Sequence, residues 1–142
     1  MEQGAAGFAI FAVTADLGIH AWALDCVELF RQAARGLLSV MFEPSRVRTE
    51  RSVVVTVSAA DRESLLVAWL NELVFVAETE HFAMADCAIT ALTETRLTAN
   101  VWGETIAPDR HTLGSGVKAV TYNQLAISPT AGGWEARVVV DL

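Results

Sequence analysis

Basic residues are scarce in this chain: ten Lys and Arg stand against seventeen Asp and Glu in 142 residues, a formal net charge of −7. Lys118 is the sole lysine. A protein that grips phosphate backbones presents a basic stripe, and the one basic concentration here, Arg46, Arg48 and Arg51, reads as a solvated strand. Direct, tight binding of RNA or DNA is therefore disfavoured, and a protein partner is favoured. Cysteine is also scarce. Cys26 and Cys87 stand far apart with no CxxC or Cys/His cluster, which argues against zinc; both read as small core residues with no disulfide between them. No apolar run reaches the roughly 18 residues that span a bilayer, so no membrane association is expected. No basic start leads into an unbroken apolar stretch and cleavage site, so no secretory signal is expected and the predicted location is cytoplasmic.

What is abundant is apolar. Hydrophobic residues make up 53% and charged residues 19%, the latter below the usual quarter. That suffices for one core, hence a single domain over 1–142, and hints at an extra buried or partner-facing surface. Phe8 to Val13 reads as a short buried strand, broken by Thr14 to Gly18. Apolar residues then recur at Trp22, Cys26, Leu29, Phe30, Ala33, Leu37 and Met41, which predicts a first helix. Gly36 within it implies close packing of another element, and Pro44 lies beyond its end. Val47, Thr49 and Val53 to Val57 predict a strand. Asp61 is the expected N-cap of a second helix, whose apolar face is Leu65, Leu66, Trp69, Leu70, Leu73 and Val74. Asn71 and Glu72, offset from that stripe, either cap other backbone or face solvent, with solvent the preferred reading. Met84 to Ile89 and Leu92 to Gly103 form a strand pair. Pro108 to Gly116 is a loop. Val117 to Ile127 and the final strand form a hairpin. The fold class is α+β: a largely antiparallel sheet with two amphipathic helices packed on one face.

Few residues carry recognisable chemistry. His20, His81 and His111 lack metal-ligand spacing, and Ser115 lacks a nucleophile elbow. There is no Walker loop and no GxGxxG. No nucleophile–base pair emerges, so no catalytic residue is assigned. Two acids differ from the rest by position. Asp16 ends the first apolar run, and Asp141 ends the last strand, followed by Leu142 with its terminal oxygens. Where the two meet, they make an all-oxygen site for a hard cation; read alone, they are a cap and a solvated strand end. Lys118 has two readings of the same kind. It is an edge-strand lysine that blocks aggregation, or a cation offered to these acids or to a partner's phosphate or carboxylate.

Thr14-Ala15-Asp16-Leu17-Gly18-Ile19, Ala21-Trp22 and Glu28-Leu29-Phe30, followed by Leu65 to Leu73 with Glu78-Thr79-Glu80, resemble the archease family. So do Val101-Trp102-Gly103-Glu104, Asp109-Arg110-His111, Val117-Lys118-Ala119-Val120-Thr121-Tyr122, and the ending Gly133-Trp134 through Val138-Val139-Val140-Asp141-Leu142. The likeness runs over nearly the whole chain, in order. It implies an accessory protein, not an enzyme, that activates an RtcB-type ligase of RNA 3′-phosphate ends in tRNA splicing and RNA repair. The implied activation promotes guanylylation and multiple turnover, and RNA is met only through the ligase. The resemblance also implies a divalent cation, calcium before magnesium, held by Asp16, Asp141 and Leu142, with Lys118, Asp16 and Asp141 acting on the partner. Two positions depart from the family pattern: Val13 and Asn123 stand where it commonly has His. Asn takes no proton at neutral pH, so no proton transfer is expected there. The rival expectations are a general chaperone or solubility partner and a small metal-dependent hydrolase.

Overall fold

The computed structural model describes residues 5–107 and 116–142. Among the described residues, seven strands and two helices follow one another as β1 (Gly7–Val13), β2 (Asp16–Ala23), α1 (Cys26–Met41), β3 (Arg51–Ser58), α2 (Arg62–Thr79), β4 (Phe82–Leu92), β5 (Arg96–Thr105), β6 (Ala119–Thr130) and β7 (Gly133–Asp141), with a 3-10 turn at Pro44–Arg46. The class is α+β, as expected. The strands divide between two antiparallel sheets, a four-stranded one in the order β1-β2-β7-β6 and a three-stranded one in the order β3-β5-β4. Both helices pack against strands of both sheets, and the core lies where these layers meet.

β2 is the element that periodicity conceals. The predicted helix from Trp22 begins instead at Cys26, and Trp22 belongs to β2. Ile19, Ala21 and Ala23 are buried, and His20 and Trp22 between them are half-buried. That alternation is a strand's; the four-residue step from Trp22 to Cys26 only imitates a helix. Thr14 and Ala15 are a two-residue turn, because Val13 pairs with Asp16. Ala15 takes φ 65 there, a left-handed conformation that burdens any residue with a Cβ.

Both helix starts have a side-chain cap. Asp25 Oδ1 accepts the Glu28 amide and Asp61 Oδ1 the Ser64 amide, each at 2.8 Å. The second was expected, and its hydrogen bond to Ser64 holds the Asp61 carboxyl below its ordinary value. Leu29, Phe30, Leu37 and Leu38 of α1 meet Leu65, Leu66, Trp69 and Leu73 of α2 in one core cluster. Burying a side chain the size of Phe30 stabilises by about 3 kcal/mol. The Trp69 indole N–H donates to Phe30 O at 3.0 Å, so the largest core side chain leaves no donor unpaired. Gly36 marks the expected close approach: a Cβ there would stand 2.7 Å from Ile19 Cγ2.

The three arginines read as one strand are not one. Arg46 lies in the 3-10 turn, Arg48 in irregular backbone and Arg51 in β3. Their neighbours are acids: Glu43 at 3.8 Å, Glu50 at 3.7 Å and Glu80 at 2.6 Å respectively. The cysteines are both free; Cys26 is half-buried at the first residue of α1 and Cys87 is fully buried. Burial pushes the Cys87 thiol up to about 12. Pro108 to Ser115, with His111 and Ser115, lie outside the described residues.

Candidate functional site

Strand pairing brings the two singled-out acids together. β2 runs antiparallel to β7 with Leu17 opposite Val140. One step further towards the same end of the sheet come Asp16 on β2 and Asp141 on β7. The Leu142 amide donates to Asp16 Oδ1 over a long 3.4 Å. On the other flank of β7, Ala119 pairs with Asp141, and the Lys118 amide donates to Asp141 O at 2.9 Å. Asp16, Asp141, Leu142 and Lys118 thus share one end of the four-stranded sheet, although 126 residues separate the first and third along the chain.

Side-chain direction follows from alternation. Val138 and Val140 face the core, so Asp141 between Val140 and Leu142 faces out, and it is exposed. Leu17 and Ile19 lie on the core side of β2, which puts Asp16 on the same outer face as Asp141. Lys118 is exposed; Asp16 and Leu142 are half-buried. No ion pair among the described residues uses Asp16, Asp141 or Lys118.

The donor set is two carboxylates plus main-chain oxygens. Among the described residues no group of three or more His, Cys, Asp or Glu side chains stands ready to hold a metal. What the chain offers is therefore an oxygen-only partial shell. Such a shell suits a hard cation that keeps water or borrows ligands from a partner, and its side chains exclude a soft metal.

The outer face continues away from this end along β2 and β7. Phe11 lies over Gly18, where a Cβ would collide with the Phe11 ring, and Arg137 stacks on the same ring at 4.7 Å from its centroid. His20 Nε2 lies 3.3 Å from Glu135 Oε2 and its ring 5.2 Å from that of Trp22. His20 is thus committed to a neighbouring carboxylate and ring, far along the strand from Asp16. Val13 pairs with Asp16 across the β1–β2 turn. Asn123 lies in an irregular stretch of β6, its amide donating to Thr121 Oγ1 at 3.2 Å.

Of the two readings open for Asn71, the structure takes backbone capping over the preferred solvent one. The side chain does not face solvent: its carboxamide bonds both backbone groups of Val120 on β6, two residues from Lys118. A polar residue offset from a helical stripe carries no local signal that separates solvent from another strand's edge.

The model of the archease protein family (MTH1598/TM1083) matches residues 8–142. The chain belongs to the archease family. Protein archease of Methanosarcina mazei is 37% identical over 135 residues, covering 91% of each chain. Protein archease of Methanothermobacter thermautotrophicus is 35% identical over 139 residues, 96% of this chain and 99% of its own. The solution structure of Methanobacterium thermoautotrophicum protein 1598 is similar with a TM-score of 0.77 at 35% identity, covering 96% of this chain and 99% of that one. The crystal structure from Thermotoga maritima described as an archease, possible chaperone, superposes with a TM-score of 0.60 at 12% identity, covering 100% and 98% of the two chains, and speaks for the fold alone. Family membership thus matches the resemblance drawn from the motifs.

Proposed function

We propose that this archease-family chain is a non-catalytic accessory protein. It activates an RtcB-type RNA ligase by promoting its guanylylation and repeated turnover. The observation that carries the reading is the convergence of Asp16, Asp141 and Leu142 beside Lys118 at one solvent-facing end of a sheet. Asp16 and Asp141 hold a divalent cation, calcium or magnesium, together with main-chain oxygen of Leu142. That cation offsets negative charge where an acidic protein approaches a phosphate- and metal-rich pocket. Asp16 and Asp141 present their carboxylates on the outer face, and Lys118 engages a phosphate or carboxylate of the partner. Stimulation arises because the complex favours the ligase conformation competent for guanylylation, which requires tighter binding to that state than to others. RNA is met through the ligase, and the setting is cytoplasmic.

The test is multiple-turnover joining of RNA 3′-phosphate ends by the ligase of the same organism, with GTP, with and without this protein. Asp16→Ala and Asp141→Ala should reduce stimulation to the level of ligase alone. If either stimulates as the parent does, the site assignment is wrong.

A general chaperone is the competing reading, and it draws on the exposed Leu24, Val54, Phe75 and Tyr122. It predicts suppressed aggregation of unrelated clients, with Asp16 and Asp141 dispensable.

A further inference from the structure

The start of β6 is held in an unusual way. Asn71 Nδ2 donates to Val120 O at 3.0 Å, and the Val120 amide donates to Asn71 Oδ1 at 2.8 Å. A side-chain amide has the same donor and acceptor as a peptide unit. On this edge Asn71 therefore does what one residue of an added strand would do. On its other flank Val120 pairs with Val140, which in turn lies opposite Leu17. Asn71, Val120, Val140 and Leu17 form one row across the sheet, the next row outward is Ala119, Asp141 and Asp16, and Lys118 follows one step beyond it.

That row needs local support. β6 pairs with β7 in register only from Ala119 to Thr121 before the pairing breaks, resuming at Ala126. Gln124 inside the break takes φ 57. The body of the strand therefore cannot transmit its register to Lys118. Three residues set it, and Asn71 grips the middle one.

We propose that Asn71 is a positioning residue whose carboxamide clamps Val120 and so fixes the Lys118 backbone where its N–H meets Asp141 O, at the sheet end that carries Asp16. The inference rests on the reading of Lys118 and the two acids as the activating site, and it adds the residue that makes their geometry persistent. Asn71→Leu removes both bonds. Asn71→Asp keeps the acceptor for the Val120 amide and sets a carboxylate against Val120 O, so it stands between Leu and the parent.

Because Lys118 is the sole lysine, reductive methylation with 13C-formaldehyde, which keeps its charge, gives a single lysine signal beside that of the N-terminal amine. In the parent this signal should shift on addition of calcium chloride. In Asn71→Leu it should narrow and cease to respond, and unmethylated protein should lose about tenfold in ligase stimulation, as is usual when the support of a ligand shell is removed. Asn71→Asp should fall between. Val67→Ala, which truncates a buried residue of the same helix, is the control for general destabilisation and should retain the parental signal and its calcium response. A parental response in Asn71→Leu, or one changed no more than in Val67→Ala, overturns the proposal, as does a parent signal indifferent to calcium. Should Asn71→Leu fail to fold, a parental response in Asn71→Asp overturns it equally. The wider reading is judged separately by Lys118→Ala: full stimulation by that variant removes Lys118 from the site whatever Asn71 does.

Discussion

Two groups of acids in this molecule are treated in opposite ways. Between α1 and β4, Arg31 Nη1 donates to Glu28 Oε1 at 2.8 Å, Nη2 to Asp86 Oδ2 at 2.7 Å and Nε to Cys87 O at 3.0 Å. Gln32 Nε2 adds a bond to Glu28 at 2.9 Å, and Asp86 Oδ1 accepts the Cys87 amide at 2.8 Å. Burial pulls the Arg31 pKa down, but the hydrogen bonds and charges of Glu28 and Asp86 outweigh it and raise it overall. At the far end of the other sheet, Asp16 and Asp141 face out from neighbouring strands, and neither forms an ion pair among the described residues. The difference teaches what each group is for. Acids that join elements bring their own cation and satisfy their lone pairs within the fold. Acids without such a partner, under the function proposed above, leave the counter-charge to an exchangeable ion or a partner, at the expense of mutual repulsion.

The comparison breaks first at Arg31. Arg31→Met leaves Glu28 and Asp86 facing each other without a cation and Cys87 O without its donor. It should lower stability by about 2 kcal/mol, read from urea unfolding, while ligase stimulation by the folded protein stays as in the parent. Equal losses in stability and stimulation would show that the two acid groups are coupled. Next comes the double variant Asp16→Asn, Asp141→Asn. It removes the repulsion and should match or exceed the parent in thermal stability without added metal, by up to about 1 kcal/mol. Calcium should raise the melting temperature of the parent, and this shift should disappear in the double variant. A double variant still stabilised by calcium would move the cation elsewhere. The smallest effect is expected at the turn. Ala15→Gly relieves the left-handed strain ahead of Asp16 and should stabilise by about 0.5 kcal/mol after the added flexibility of the unfolded chain is counted. Calcium affinity should stay unchanged, which separates the stability of the turn from the function of the acid beside it.

Much of the fold was legible in the chain. The second helix and its Asp61 cap, the Gly36 contact, the β4–β5 pair and the closing hairpin follow from periodicity, capping chemistry and turn residues, all of which act over a few positions. β2 was not legible, because half-buried strand residues around Trp22 happen to continue the spacing of α1. The division into two sheets was not either, since strand alternation tells which face is buried and not which strand is the neighbour. At the site, the motifs singled out Asp16, Asp141 and Lys118, whereas for Asn71 the sequence left backbone capping and solvent both open and named no partner, because that partner lies 49 residues away on another strand's edge.

By itself, then, the sequence determined the helical and strand segments, the acidic balance with its single lysine, and family membership, because local patterns and motif order are written along the chain. Tertiary structure alone decided that Asp16 meets Asp141, that Asn71 grips Val120 and that Arg31 neutralises Glu28 and Asp86. Each of these depends on which distant segments pair, and that is settled by the burial of a shared core and the register it imposes, not by any residue's immediate neighbours.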